Sequence, residues 1–231
     1  GVALSAEMSE AAAAHFACPP ERFVVIPNGV DAARFSCPPR RDFTHPVILV
    51  VGTIAQVKRP DLALRAFALL RERMPQARLD LAGDGPLRGD CEKLAEELGL
   101  AGSVRFLGRR EDVSDLMARA HLLWQLSESE GLPMVVLEAM ASGLPVVGHD
   151  VRGIRSAVRD GETGFLAPFG DVAQIVEKSH FLLTDHGEHE KMGAAARQRA
   201  ERVFSCERMV QNHIIVLQAA IAGKWPPEEL L

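Results

Sequence analysis

Short continuous apolar runs alternate along this chain with stretches whose apolar residues recur every three to four positions. Residues 45–51 (HPVILVV) are apolar throughout and rich in β-branched side chains, the pattern of a strand buried on both faces of a parallel sheet. Further strands are predicted over 77–82, 104–107, 121–126 (HLLWQL) and 145–147, with a short earlier one over 22–26. Helical spacing fills the intervals. Pro60 and Asp61 open a helix with Leu62, Ala66, Phe67 and Leu70 on one face. Leu87, Cys91, Leu94 and Leu98 line another, which Gly99 stops, and shorter helices follow over 112–119, over 134–141 and after Val151-Arg152-Gly153. Residues 5–16, 171–183 and 188–202 also read as helices, the first broken by Cys18-Pro19-Pro20. Ser205 caps a final helix whose stripe of Met209, His213, Leu217 and Ile221 suits core or inter-domain contact. The alternation predicts a doubly wound α/β domain with a parallel sheet. Ligands of such sheets sit at the carboxyl ends of the strands, here after Val51, Ala82, Leu107 and Leu126.

Composition narrows the class. With 231 residues, 47% of them hydrophobic, the chain can bury a sizeable core as one large or two small domains. A net charge of -5 gives no basic surface for nucleic acid and no polybasic membrane patch. Cys18, Cys37, Cys91 and Cys206 show neither CxxC pairing nor zinc-like spacing, and read as reduced thiols of a cytoplasmic protein. No apolar run is long enough to span a bilayer, and no signal peptide is present. Gly1 in place of Met reads as a missing natural start. His180, His186 and His189 lack a Cys or carboxylate at ligand spacing and read as a solvated helix surface, so no metal is expected.

Candidate chemistry gathers around residues 129–147 (SEGLPMVVLEAMASGLPVV). Glu130 sits in a turn with Gly131 and Pro133, Glu138 lies within the helix that follows, and Ser142-Gly143 closes that helix. Backbone N–H groups at the helix start, around Leu132, Pro133, Met134 and Val135, are unpaired and carry partial positive charge, a seat for a phosphate or diphosphate. The two carboxylates reach past such an anion as acceptors for hydroxyl groups. On physical grounds alone the simpler account is that Glu130 favours the dipole and Glu138 faces solvent. Lys58 and Arg59 stand just before a helix start, where the dipole disfavours cations unless an anion is bound. Gly83-Asp84-Gly85-Pro86 follows a strand, but Arg88 occupies the third glycine position of a dinucleotide fingerprint, which excludes a nicotinamide site.

Several of these motifs together resemble one family. Glu130-x7-Glu138 within EGLPMVVLEAMASGLPVV looks like the Glu-x7-Glu motif of retaining glycosyltransferases of the GT-B fold, of the family 4 kind. Residues 27–35 (PNGVDAARF) resemble that family's junction between its two domains, Gly83–Pro86 its G-D-G-P turn, and residues 160–166 (DGETGFL) its D-G-x-T-G-x-L hairpin. The resemblance implies the C-terminal, Rossmann-like half of a GT-B fold. Residues 1–40 would then end an N-terminal domain and form a linker, 41–205 the donor-binding domain, and 206–231 a helix and tail packing toward the absent domain. It further implies that Lys58 and the amides around residues 132–135 hold the diphosphate of a nucleotide sugar. Glu138 would bind ribose hydroxyls and Glu130 the transferred sugar, Glu130 and Lys58 being the catalytic pair. Gly52, Thr53, Gly83, Gly108 and Arg109 would line the donor site, the last two beside the base; for Arg109 and Arg110 the plain alternative is a surface loop. The family carries an Arg where Thr53 stands, so either Arg59 substitutes or donor binding weakens. No cofactor or metal is implied, the acceptor lies with the absent domain, and peripheral membrane association through that domain stays open. The other class is a non-catalytic nucleotide-binding or scaffold module; a phosphorylase is disfavoured because no lysine-bound cofactor site is found.

Overall fold

The computed structural model describes residues 1–35, 37, 41–225 and 227, so the expected linker over 37–41 falls partly outside the described residues. Strand β1 (Val2–Ala3) pairs in parallel with β2 (Val24–Val25), joined through helix α1 (Ala6–His15), whose first turn is capped by Ser5. After β2 the N–H of Val30 donates to the carbonyl of Phe204 at 2.6 Å, and Asn28 Nδ2 donates to the Leu132 carbonyl at 3.4 Å.

The main sheet is built from β3 (Val47–Val51), β4 (Arg78–Ala82), β5 (Val104–Gly108), β6 (Leu122–Gln125), β7 (Val146–His149) and β8 (Gly164–Ala167). All six are parallel, in the spatial order β5-β4-β3-β6-β7-β8. Parallel strands need crossovers. Helices α2 (Pro60–Arg73), α3 (Arg88–Glu97), α4 (Val113–Arg119), α5 (Met134–Ala141) and α6 (Arg152–Ala157) supply them, and α7 (Val172–Thr184), α8 (His186–Val203) and α9 (Cys206–Ile221) complete the chain.

Strand periodicity places alternate residues in two cores. Ile48, Leu122 and Trp124 face Leu64, Phe67 and Leu70 of α2 with Ile175 and Leu182 of α7. Leu49, Leu123 and Val146 face Val136, Leu137 and Met140 of α5 with Ala196 and Ala200 of α8. Each fully buried Leu, Ile or Phe contributes about 1.5–3 kcal/mol of transfer free energy. Both faces are thus covered, which is why the strands read as apolar runs rather than as alternations.

Four expectations are corrected. The turn after Asp160 leads not into a hairpin but into β8, parallel to β7; Asp160 Oδ1 accepts the Leu166 N–H at 2.8 Å, which seals the turn locally while the strand runs on the sheet's outer edge. Leu62 is only half-buried, and Ala63 and Leu64 take the inner face of α2. On α9 only the core half of the expectation is corrected: the buried residue is Val216, packed with Met209 against Val24 and Ile26, whereas Leu217 and Ile221 are exposed and His213 faces outward, as the inter-domain alternative allows. His189 is buried rather than solvated; its Nε2 lies 2.7 Å from the carbonyl of His121 and its ring meets the edge of Phe43.

The chain builds β3, β4 and β5 outward, then returns to place β6 on the other side of β3. That reversal is a topological switch point, where diverging loops leave a crevice at the carboxyl edge. The loops after β3 and β6 flank it. Among the described residues no helix is long and apolar enough to cross a membrane.

Candidate functional site

Backbone contact knits the crevice floor. The Gly83 N–H donates to the Gly108 carbonyl at 2.8 Å, and that of Ile54 to the Asp84 carbonyl at 3.0 Å. Gly83 has φ +151°, and a Cβ there would lie 1.8 Å from the carbonyl oxygen of Gly52. Only glycine permits both the conformation and the approach. Above this floor an open cleft of about 340 Å³ is lined by Gly52, Thr53, Gly83, Asp84, Arg109, Arg110 and Val113. Arg110 is held bidentately by Asp112, whereas Arg109 is exposed and has no side-chain partner among the described residues. Thr53 is also exposed, and it contributes no charge.

Lys58 ends a tight turn, Gln56–Lys58, after β3. Its Nζ lies 2.6 Å from Glu130 Oε1, joining residues 72 positions apart. The same Oε1 accepts from Gln125 Nε2 at 2.6 Å, and that amide also donates to Ser127 Oγ at 3.0 Å. Gln125 ends β6 and is buried, so the strand delivers both the carboxylate's loop and a donor that holds it. Lys58, Thr53, Gln125 and Ser127 line a small, partly open pocket next to the cleft.

Glu130 and Gly131 precede α5, which starts at Pro133 with no side-chain cap. The first-turn N–H groups of Met134 and Val135 therefore lack a side-chain acceptor, leaving the positive end of the helix available to an anion. Leu132 and Pro133 are buried, Gly131 and Met134 exposed, and Val135 half-buried. At the other end Gly143, φ +60°, donates to the Met140 carbonyl at 3.0 Å while Leu144 donates to Ala139 at 2.9 Å. This paired closure is the one that the Ser142-Gly143 sequence predicts. Glu138 lies about one turn, ~6 Å, from the helix start. It is half-buried rather than solvated; burial pushes its carboxyl pKa up, partly offset by the nearby Arg34.

Arg59 is placed differently from Lys58. It takes the left-handed conformation, φ +50°, as the residue before α2, and Asp61 grips its guanidinium through two hydrogen bonds of 3.0 and 2.8 Å. The guanidinium also lies 5.5 Å from the ring centroid of Phe169. The site thus brings together Lys58, Glu130 and the start of α5, lines the cleft with Gly52, Thr53, Gly83 and Arg109, and commits Arg59 to Asp61.

Gln125, Ser127, Arg34 and Gly153 were not singled out from sequence. Gln125 alone had a signal, a polar amide inside an apolar strand. Gly153 matters through backbone: a Cβ there would lie 2.3 Å from the Gly131 oxygen and 2.5 Å from the Glu130 oxygen, so α6 packs directly on the turn. Among the described residues no three His, Cys, Asp or Glu side chains gather as metal ligands.

The model of the family described as glycosyl transferases group 1 matches residues 38–199. The chain belongs to this family. Among curated relatives it is 34% identical over 167 residues to the N-acetyl-alpha-D-glucosaminyl L-malate synthase of Bacillus anthracis, covering 72% of this chain and 44% of that one. It is 34% identical over 185 residues to the D-inositol 3-phosphate glycosyltransferase of Kribbella flavida, covering 75% and 43%. The chain therefore spans less than half the length of either relative. The fold matches that of GT-B glycosyltransferases. Anabaena Alr3699/HepE, crystallised with UDP and glucose, superposes with a TM-score of 0.85 at 24% identity, over 94% of this chain and 62% of that one. The pneumococcal O-GlcNAc transferase GtfA, crystallised with UDP and GlcNAc, gives 0.80 at 20% identity, over 95% and 45%.

Proposed function

We propose that this group 1 chain is the nucleotide-sugar-binding part of a glycosyltransferase that acts with retention at the anomeric carbon, its acceptor being held by an N-terminal domain outside this sequence. The observation that carries the reading is Lys58 Nζ at 2.6 Å from Glu130 Oε1, in the turn that leads into α5, whose first turn has no side-chain cap. The carboxylate that Lys58 meets lies four residues before a helix start whose N–H groups can receive an anion, which is what supports the reading. The diphosphate sits against Lys58 and the N–H groups of Leu132, Met134 and Val135, the transferred sugar's hydroxyls on Glu130, and the ribose hydroxyls on Glu138. The base lies in the cleft beside Gly108 and Arg109. Lys58 and the helix dipole stabilise the charge that develops on the leaving diphosphate, an electrostatic role that a preorganised site performs without reorganising. The UDP complexes of Alr3699/HepE and GtfA, similar in fold, support a nucleotide in this crevice.

Thr53 contributes no charge and Arg59 is committed to Asp61, so Lys58 alone among these residues meets Glu130, which favours a second reading, a non-catalytic nucleotide-binding module. Titration calorimetry of the chain with UDP, GDP and ADP tests the donor site. One diphosphate is expected to bind in the micromolar range, weakened about tenfold, roughly 1.4 kcal/mol, in Glu138→Ala. No binding by any of the three overturns the proposal. Transfer of a sugar by a longer chain that includes the N-terminal domain then separates the enzyme from the binding module.

A further inference from the structure

Gln125 is the polar residue that the pattern of its strand does not explain. Leu122, Leu123 and Trp124 before it are fully buried, and Gln125 itself is 3% exposed. Burying an amide without partners costs about 1–3 kcal/mol, so a buried glutamine is held to its acceptors. The Nε2 group carries two hydrogens and finds two acceptors, Glu130 Oε1 and Ser127 Oγ, both in the loop that leaves β6.

We infer that Gln125 is a positioning residue for Glu130 and that it governs the grip on the transferred sugar rather than on the nucleotide; the inference rests on the donor-site reading above. Glu130 Oε1 has two donors, Lys58 and Gln125. The Lys58 side chain is 29% exposed on a flexible stem. An arriving diphosphate competes for that ammonium with the full strength of a charged acceptor. As Lys58 turns to the phosphates, Glu130 loses its cation at the moment it must meet the sugar. Gln125 is neutral, enclosed and anchored on Ser127, so the phosphates do not draw it away. It keeps Oε1 in place and leaves Oε2, which has no donor among the described residues, to accept from a sugar hydroxyl.

Calorimetry on the 231-residue chain tests this with UDP, GDP and ADP and with UDP-glucose, UDP-N-acetylglucosamine, GDP-mannose and ADP-glucose, for wild type, Gln125→Leu and Gln125→Met. Both variants match the apolar strand in volume and remove the donor. Affinity for the nucleoside diphosphate is expected to change by less than about twofold, while the matching nucleotide sugar loses about tenfold, the worth of one hydrogen bond to a charged group. Equal losses for both ligands, no loss, or a wild type to which the sugar adds no affinity would each overturn the role of Gln125. If neither variant folds, Ser127→Ala loosens the same amide from outside the strand and is expected to give a smaller loss confined to the nucleotide sugar; an unchanged profile overturns the inference. Failure of wild type to bind any nucleotide overturns the donor-site reading instead.

Discussion

Acid should destabilise this chain through the histidines packed around Phe43, at the end of the sheet opposite the crevice. His186 stacks on the Phe43 ring at 4.0 Å, and His121 and His189 meet its edges at 4.8 and 5.0 Å. His121 Nδ1 accepts the Val47 N–H at 3.0 Å, so this ring is the neutral tautomer that donates Nε2–H to the Asp42 carbonyl at 2.9 Å. His189 is 1% exposed, and burial pushes its pKa down to about 4; the positive charge of Arg41 and the neighbouring His121 and His186 act in the same direction, against the hydrogen bond to the His121 carbonyl. An unfolded histidine titrates near 6.5. Between these two values the unfolded chain binds the extra proton, so the stabilisation is complete above about pH 6.5 and is lost as the pH falls toward 4. At pH 5 the loss from His189 alone is about 2 kcal/mol. Gln at 189 retains an N–H for the His121 carbonyl and does not titrate. Urea unfolding at about pH 7.5, 6 and 5 is therefore expected to show wild type losing about 2 kcal/mol more than His189→Gln across this range. Parallel losses in the two proteins would refute the buried neutral state of His189.

Two further substitutions probe the packing behind the site. Gly153→Ala forces a methyl against the backbone oxygens of Glu130 and Gly131, at 2.5 and 2.3 Å, and is expected to weaken nucleoside diphosphate binding about fivefold or more with an unchanged far-ultraviolet dichroism spectrum; an unaltered dissociation constant would show that the turn does not position the ligand. Trp124→Phe removes the indole N–H that Ser179 Oγ accepts at 2.8 Å in the core between β6 and α7, leaving a buried hydroxyl unpaired beside a cavity. A loss of about 2–4 kcal/mol in urea unfolding is expected, and a loss under about 1 kcal/mol would mean that the core relaxes around the smaller ring.

Much of the fold was legible because its signals are local. The apolar run over 45–51 became β3 at Val47–Val51, the run over 77–82 became β4 at Arg78–Ala82, and the helix over 134–141 appeared with those bounds, closed at Gly143 as its Ser-Gly pair implied. A strand buried on both faces and a glycine in the left-handed region are decided within a few residues of themselves. Ser205, read as a cap from its position, accepts a first-turn N–H, and Ser5, Asp171 and Asp185 cap their helices in the same local way. Membership of the glycosyl transferases group 1 family was likewise carried in the spacing of glycines and carboxylates along the chain.

What the sequence left undecided depends on residues distant in the chain. The turn at 160–163 suits a hairpin as well as a strand entering in parallel, and only the free edge of β7 makes it the latter. His189 has the composition of a surface helix around it, yet α8 turns it onto Phe43 and the His121 carbonyl. The stripe on α9 was divided by Val24 and Ile26, which took Val216 and left Leu217 and Ile221 outside. Arg59 and Lys58 are adjacent, but the left-handed backbone at 59 sends one side chain to Asp61 and the other to a carboxylate 72 residues away. The period of apolar residues records which face of an element meets the core, and for that its neighbours suffice. Which charge meets Lys58, and that Gln125 holds it there, follows from helices packing on a sheet whose strand order the chain reverses between β5 and β6.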